Sequence, residues 1–148
     1  QTRTDIEGLA LRRSIERGDA AWIAAVEKSF TALCAVPHTY PDDPTPHSEE
    51  WVLRHRVFHR TLVNACGSPW LLGFRDVLHE QSERYRRLAI RRNNKKTRNV
   101  EAEHAAIVRA TLKRDADAAV AALSKHFMTT MHLVELATAK ASAGGDAA

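Results

Sequence analysis

Residues 55–72 read HRVFHRTLVNACGSPWLL, and this stretch predicts the fold because it contains the end of one helix and the start of the next. Phe58, Leu62 and Cys66 recur at the spacing of one face of an α-helix. The segment Gly67-Ser68-Pro69 then ends that helix and begins another, with the serine as cap and the proline at the first helical position. Two helices joined by so short a turn are expected to pack antiparallel.

The helical spacing of apolar residues continues on both sides of this turn. Gly18 ends a first helix, Asp19 caps a second, and Ser48 marks the start of the third after a proline-rich loop. The fourth helix is predicted to reach about residue 90, the fifth to span roughly 100–113 and the sixth to end near 139. We therefore predict an all-α protein, an antiparallel bundle of six to seven helices.

The composition is that of one ordinary globular domain. The chain has 148 residues, 44% hydrophobic and 27% charged, with few of the glycines and prolines that punctuate an all-β protein. We expect a single domain over residues 1–139 and a disordered tail over 140–148. No apolar run approaches the roughly 20 residues that span a bilayer, and the first residues lack a signal-peptide pattern. With Cys34 and Cys66 interpreted as reduced core thiols, we predict a cytoplasmic protein.

Four histidines are candidates for a metal site. His55 and His59 are four residues apart, so both can point at one ion from the same helical face. His104 lies on the apolar stripe of the fifth helix, and His126 follows Leu123 on the inner face of the sixth. Zn²⁺ and similar ions need at least three protein ligands, which these helices could supply together. Spacing alone leaves two interpretations open, a four-histidine metal site and histidines that are simply hydrogen-bonded in the core.

Several motifs, taken in order, resemble one known family. The segment 55–72 is similar to a D-x-x-x-H pair followed by G-N-P and two apolar residues, and Glu103-His104 with Ile107 is similar to E-H-x-x-I. A final histidine, His126, follows at the family's distance, and the opening RTDIEGLA is similar to R-x-x-L-E. The chain thus resembles the FCD domain, the C-terminal ligand-binding domain of FadR-type regulators in the GntR family, in its metal-binding branch. The resemblance covers about residues 3–135.

The resemblance implies a ligand-sensing domain rather than an enzyme. It implies a divalent metal held by His55, His59, His104 and His126, and a small carboxylate effector bound at the metal and by arginines. The candidates for effector binding are Arg3, Arg84, Tyr85 and Arg86, with Arg12 as a further possibility. His55 stands where the family has Asp, and ligation by nitrogen alone favours Zn²⁺ or Ni²⁺.

The resemblance also implies partners for the domain. The expected assembly is a homodimer that binds DNA only through an N-terminal winged helix-turn-helix domain, which is absent from this chain. Effector binding is expected to shift the bundle and so to change how the DNA-binding domains are spaced.

Two alternatives come from other functional classes. Residues 84–98, RYRRLAIRRNNKKTR, carry eight basic side chains and could bind nucleic acid directly, although Tyr85 is the only aromatic residue available for stacking on bases. A metal-dependent helical-bundle enzyme is the other alternative. It would need a general base beside a metal-bound water, and Glu101 is the better placed candidate because Glu103 points about 100° away from His104 on a helix. A di-iron site would need a second such pair and two more inward glutamates, which the sequence does not offer.

Overall fold

The chain folds into six helices, and the prediction of an all-α bundle is confirmed. A computed structural model describes residues 1–37, 48–90 and 98–143, and within these ranges there is no β-strand. The helices are α1 (Thr2–Arg17), α2 (Ala20–Cys34), α3 (Glu49–Val63), α4 (Pro69–Ile90), α5 (Val100–Leu112) and α6 (Ala116–Ala143). None of them, over the residues described, is long and apolar enough to cross a membrane.

Side-chain caps fix the starts of several helices where the sequence supplies Asp, Ser or Asn. Asp19 accepts a hydrogen bond from the backbone N–H of Trp22 at the start of α2. Ser48 does the same for Trp51 at the start of α3, and Asn99 for the third residue of α5. Each cap satisfies one of the N–H groups that a helix leaves unbonded in its first turn, so these positions begin helices.

The turn between α3 and α4 is hydrogen-bonded to Arg17, the last residue of α1. Gly67 has a φ of +67°, a conformation that side-chain-bearing residues rarely adopt. The Nη1 of Arg17 donates to the Cys66 carbonyl at 3.2 Å. The same Nη1 lies only 2.5 Å from the position that a β-carbon on Gly67 would occupy, so a side chain there would collide with it. Ser68 then accepts from the Leu71 N–H and starts α4. The turn predicted from the sequence therefore also sets the packing of α1 against it.

The core lies between α1, α3, α5 and α6. Leu11, Phe58, Leu62, Ile107 and Leu123 are almost fully buried there, one or two from each helix. Pairs of helices that contact one another include α1 and α6, α2 and α3, and α5 and α6. Ring contacts between Phe58 of α3 and His104 of α5, and between His59 of α3 and His126 of α6, bring the inner faces of these three helices together.

Three details of the sequence-based prediction were wrong. Helix α3 ends at Val63 rather than near Cys66, because the turn before Gly67 already departs from helical hydrogen bonding. Helix α6 runs to Ala143, so the boundary predicted at 139 falls inside a helix. Cys34 lies exposed at the end of α2, whereas Cys66 is buried, and both thiols are free. The predicted loops at 38–47 and 91–97, and the last five residues of the predicted tail, lie outside the described residues.

Candidate metal centre

The four histidines singled out from the sequence lie together in the interior. His55 and His59 come from α3, His104 from α5 and His126 from α6. All four side chains are buried, and each offers a ring nitrogen within 4.8 Å of those of the others. Three helices that are distant in sequence therefore bring four imidazoles to one point, and the cluster can hold a metal ion.

The closest pair in the cluster has the spacing of two ligands on one ion. His55 and His59 are one turn apart on α3, and their Nε2 atoms lie 3.1 Å from each other. Two nitrogens bound tetrahedrally at 2.0–2.1 Å from a Zn²⁺ ion stand about 3.3 Å apart. The same distance also suits a hydrogen bond between the two rings when no ion is bound.

Aromatic rings pack against the imidazoles of the cluster. Trp51, one turn before His55 on α3, stacks on its ring with centroids 4.6 Å apart. Phe58 meets the rings of His59 and His104 edge-on at 5.2 and 5.1 Å. Because these contacts limit how far the imidazoles can rotate, they hold the ring planes in place before any ligand arrives.

A carboxylate behind the cluster orients His126. Glu103 Oε2 lies 2.7 Å from Nδ1 of His126, and Arg98 donates from Nε and Nη2 to the two oxygens of Glu103 at 2.8 and 2.6 Å. Arg98 Nη2 also donates to the His126 carbonyl at 3.0 Å. Burial on its own would raise the pKa of Glu103, but the hydrogen bonds from Arg98 and His126 lower it to about 2. An ionised Glu103 that accepts Nδ1–H leaves Nε2 of His126 with its lone pair for the cluster.

The cluster favours neutral imidazoles. Burial lowers the pKa of His59 well below its ordinary value, and the positive charges of Arg3 and Arg75 and the neighbouring histidines lower it further. Burial also lowers the pKa of His126, although the hydrogen bond to Glu103 opposes this effect. Metal ions bind the neutral form of histidine, so at neutral pH these side chains are in the state that a ligand needs.

Arg3 reaches the surroundings of the cluster from α1. Its Nε donates to Oε1 of Glu7 at 2.9 Å, and its Nη2 lies 3.3 Å from Nδ1 of His79. Its guanidinium carbon lies 4.2 Å from the ring centroid of Phe127, whose ring is in turn 5.6 Å from that of His59. Of the residues predicted to bind an effector, Arg3 is thus placed in the interior beside the histidines.

The remaining predicted effector residues lie elsewhere. Tyr85 is exposed on the C-terminal half of α4, and Arg12 pairs with the exposed Asp117 at the surface. The side chains of Arg84 and Arg86 lie outside the described residues. The structure therefore does not bring Tyr85 or Arg12 to the four histidines.

A comparison with protein families identifies the domain. The family described as the FCD domain matches residues 1–129 of this chain. The chain belongs to this family. The resemblance drawn from the sequence motifs is thereby confirmed, and the helical bundle described above is the structure of an FCD domain.

Two named relatives are longer than this chain. The chain is 37% identical over 133 residues to the uncharacterized HTH-type transcriptional regulator BphR of Paraburkholderia xenovorans (strain LB400), covering 90% of this chain and 54% of that protein. It is 29% identical over 140 residues to the HTH-type transcriptional repressor GlaR of Escherichia coli (strain K12), covering 93% of this chain and 63% of that protein. The chain thus spans 54% of the length of the first relative and 63% of the length of the second.

Sequence reasoning missed several charged residues around the cluster of this FCD domain. Arg98 was counted among eight basic side chains that could face nucleic acid, but it is engaged with Glu103 and His126. Glu7 and Arg75 are almost completely buried and were not singled out. Their position between apolar residues on α1 and α4 was the available indication, because charged side chains are seldom buried unless they are paired or bind something.

Proposed function

We propose that this FCD domain is the effector-sensing part of a GntR-type transcriptional regulator of the FadR class. In this proposal His55, His59, His104 and His126 hold a divalent transition metal ion, and a small carboxylate effector binds beside it. Effector binding modulates DNA binding by a winged helix-turn-helix domain that precedes the FCD domain in the whole regulator. The observation that carries the proposal is that four buried histidines from three helices bring ring nitrogens within 4.8 Å of one another, close enough to bind one metal ion.

The donor set supports Zn²⁺ or Ni²⁺ as the ion. Four imidazole nitrogens are borderline-soft ligands, which suit these ions better than Mn²⁺ or Mg²⁺. Four neutral ligands leave the full charge of a divalent ion uncompensated, and such an ion, when bound, would take a carboxylate oxygen as a fifth ligand by expanding its coordination shell.

Arginines supply the rest of the effector site in this proposal. Arg3 is the member of the predicted set whose guanidinium lies next to the cluster. Guanidinium groups bind carboxylates through paired hydrogen bonds, which gives both affinity and orientation. The proposal retains Arg84 and Arg86 of α4 as candidates and assigns no contact to the exposed Tyr85.

The names of the relatives support the regulatory part of the proposal. Both are called HTH-type transcriptional regulators or repressors, and neither name is that of an enzyme. We therefore propose a non-catalytic sensor that acts in the cytoplasm as a homodimer and contacts DNA through its helix-turn-helix domain. A symmetric dimer would place two helix-turn-helix domains on the two half-sites of a DNA operator, which is how regulators of this kind generally bind.

The first experiment measures the metal content of the purified domain. Protein made without a histidine tag and without added metal is analysed by inductively coupled plasma mass spectrometry as wild type, His59→Ala and His132→Ala. We expect about one Zn or Ni per chain, retained in His132→Ala and lost in His59→Ala. His132 is the matched control because it is a histidine of α6 that is 70% exposed in its side chain and distant from the cluster.

The result that would overturn the metal site is equally specific. Wild-type protein that takes up neither Zn²⁺ nor Ni²⁺ after soaking would show that the four imidazoles only hydrogen-bond to each other. Metal that stays bound in His59→Ala would place the ion at another site.

A further inference from the structure

A cavity of about 430 Å³ lies between α2, α3 and α5 and connects the histidine cluster with the surface. Cys34 at the end of α2 and Glu101 in the first turn of α5 line it, and both side chains are exposed. His104 and Trp51 line it as well, and both are buried. Because the four histidines are at most 4% exposed, a metal ion needs a route to reach them, and this cavity runs from solvent to His104.

The charge distribution around the cluster favours this route for a cation. Among the described residues that line the cavity, Glu101 is the only charged side chain. The other carboxylates beside the cluster are already engaged by guanidinium groups, Glu7 by Arg3 and Glu103 by Arg98. A divalent ion is attracted by a carboxylate and repelled by a guanidinium, so the cavity offers it the more favourable approach.

The lining also combines three kinds of metal-binding side chain. Glu101 and His104 are three residues apart on α5 and share one helical face. Burial raises the pKa of the Cys34 thiol, and the charge of Glu101 and a hydrogen bond with it raise this pKa further. The thiol and the carboxylate are thus in contact, and thiol, carboxylate and imidazole are the ligand types of zinc sites. His104 belongs both to this set and to the four-histidine cluster.

We propose that Cys34 and Glu101 form an outer capture site for the metal ion, from which His104 passes it to the four-histidine cluster. This inference rests on the proposed function, because it takes the cluster as the destination. The Cys34 thiol releases its proton to solvent when the ion binds and takes a proton back from water when the ion moves inward. A site that is empty before and after the transfer cannot change the overall equilibrium, so the capture site sets the rates of uptake and release and leaves the affinity of the cluster unchanged.

The first test follows Co²⁺ as it enters the metal-free domain in a stopped-flow spectrophotometer. Thiolate ligands give Co²⁺ a charge-transfer band in the near ultraviolet, whereas imidazole ligands give mainly the weaker bands in the visible range. In the wild type, the thiolate band should appear first and decay as the visible bands reach their final intensity. Cys34→Ser should abolish the transient band, slow the uptake and leave the final spectrum unchanged.

The second test measures how fast Zn²⁺ is taken up and how fast it is released to an excess of a chromophoric chelator. Cys34→Ser/Glu101→Gln should slow both rates by the same factor, about 10-fold or more, because it removes the attraction and the ligands at the entrance. Equilibrium competition should still give the wild-type affinity, which also shows that the variant is folded around an intact cluster. Glu16→Gln is the control, since Glu16 is an exposed glutamate of α1 outside the cavity lining. Both of its rates should equal those of the wild type.

The outcomes separate the capture site from the metal proposal. Unchanged rates in the double variant, or no transient thiolate band in a wild type that binds the ion, would overturn the capture site alone. A lower equilibrium affinity in Cys34→Ser would make Cys34 a permanent ligand and overturn its transient role, and equal slowing in Glu16→Gln would assign the effect to net charge. Wild-type protein that retains no metal refutes the four-histidine site, and the capture site falls with it unless Co²⁺ still gives a thiolate band that Cys34→Ser removes.

Discussion

Glu103 and His126 are joined across α5 and α6 by a 2.7 Å contact between Oε2 and Nδ1, directly behind the four-histidine cluster. A carboxylate in this position fixes which imidazole nitrogen faces an ion and increases its basicity. We expect Glu103→Ala to weaken Zn²⁺ binding about 10–100-fold, and Glu103→Gln to weaken it less because the amide oxygen still accepts from Nδ1–H. Competition with a chromophoric chelator measures both affinities.

Glu101 provides the control for this experiment. It lies in the same first turn of α5 as Glu103, but its side chain is exposed and does not belong to the histidine cluster. Glu101→Ala should therefore leave Zn²⁺ affinity within error of the wild type. Equal losses for both alanine variants would mean that the effect is one of overall charge and that Glu103 does not position His126.

The low pKa of Glu103 predicts how acid affects the metal-free domain. The ordinary pKa of 4.5 falls to about 2 in the folded state, so the folded protein binds this proton less readily than the unfolded chain. The ionised group therefore stabilises the fold above about pH 4.5, and this contribution is lost as the pH falls toward 2. Glu103→Gln should lower the urea midpoint more at pH 5.5 than at pH 3. The same loss at both pH values would show that ionisation of Glu103 contributes nothing.

Phe58 links the apolar core to the histidines. It is completely buried on α3 and contacts both His59 and His104. Phe58→Ala is expected to lower the free energy of unfolding by about 3–5 kcal/mol, because it leaves a cavity that the bundle cannot fully close. Urea denaturation of metal-free protein measures the loss. Leu53→Ala, at an exposed site on the same helix, should change it by less than about 0.5 kcal/mol, and a comparable loss there would contradict the assignment.

An exposed apolar stripe on α4 is the surface on which we expect the proposed homodimer to form. Trp70, Phe74 and Val77 follow one another at helical spacing and are all more than half exposed, which is unusual for side chains of this size. Trp70→Ser/Phe74→Ser should shift the protein from dimer to monomer in light scattering after size-exclusion chromatography. A mass that stays dimeric in this variant would place the interface elsewhere, and a monomeric wild type would refute the homodimer.

The sequence was sufficient to predict the helices and the four histidines, but it did not predict the charged groups around them. Asp19 and Ser48 act locally, so their role as caps is visible in the few residues that follow each of them. The helical wheel favoured Glu101 over Glu103 as the acidic residue beside the histidines, but Glu103 contacts His126 and Glu101 is exposed, because that contact depends on how α5 and α6 pack. The same holds for Glu7 and Arg75, whose pairing joins helices α1 and α4 and leaves no periodic pattern in the sequence.

The four-histidine cluster has a consequence for the unfolded chain as well as for the folded one. An ion bound by His55 and His126 would tie together two points separated by 71 residues, about half of the chain, and an unfolded chain would have to close that long loop to keep it. Because the ion binds the folded state far better, it would act as a reversible cross-link whose strength follows the free metal concentration. The rate at which a protease degrades the domain would then fall as the concentration of that free metal rises.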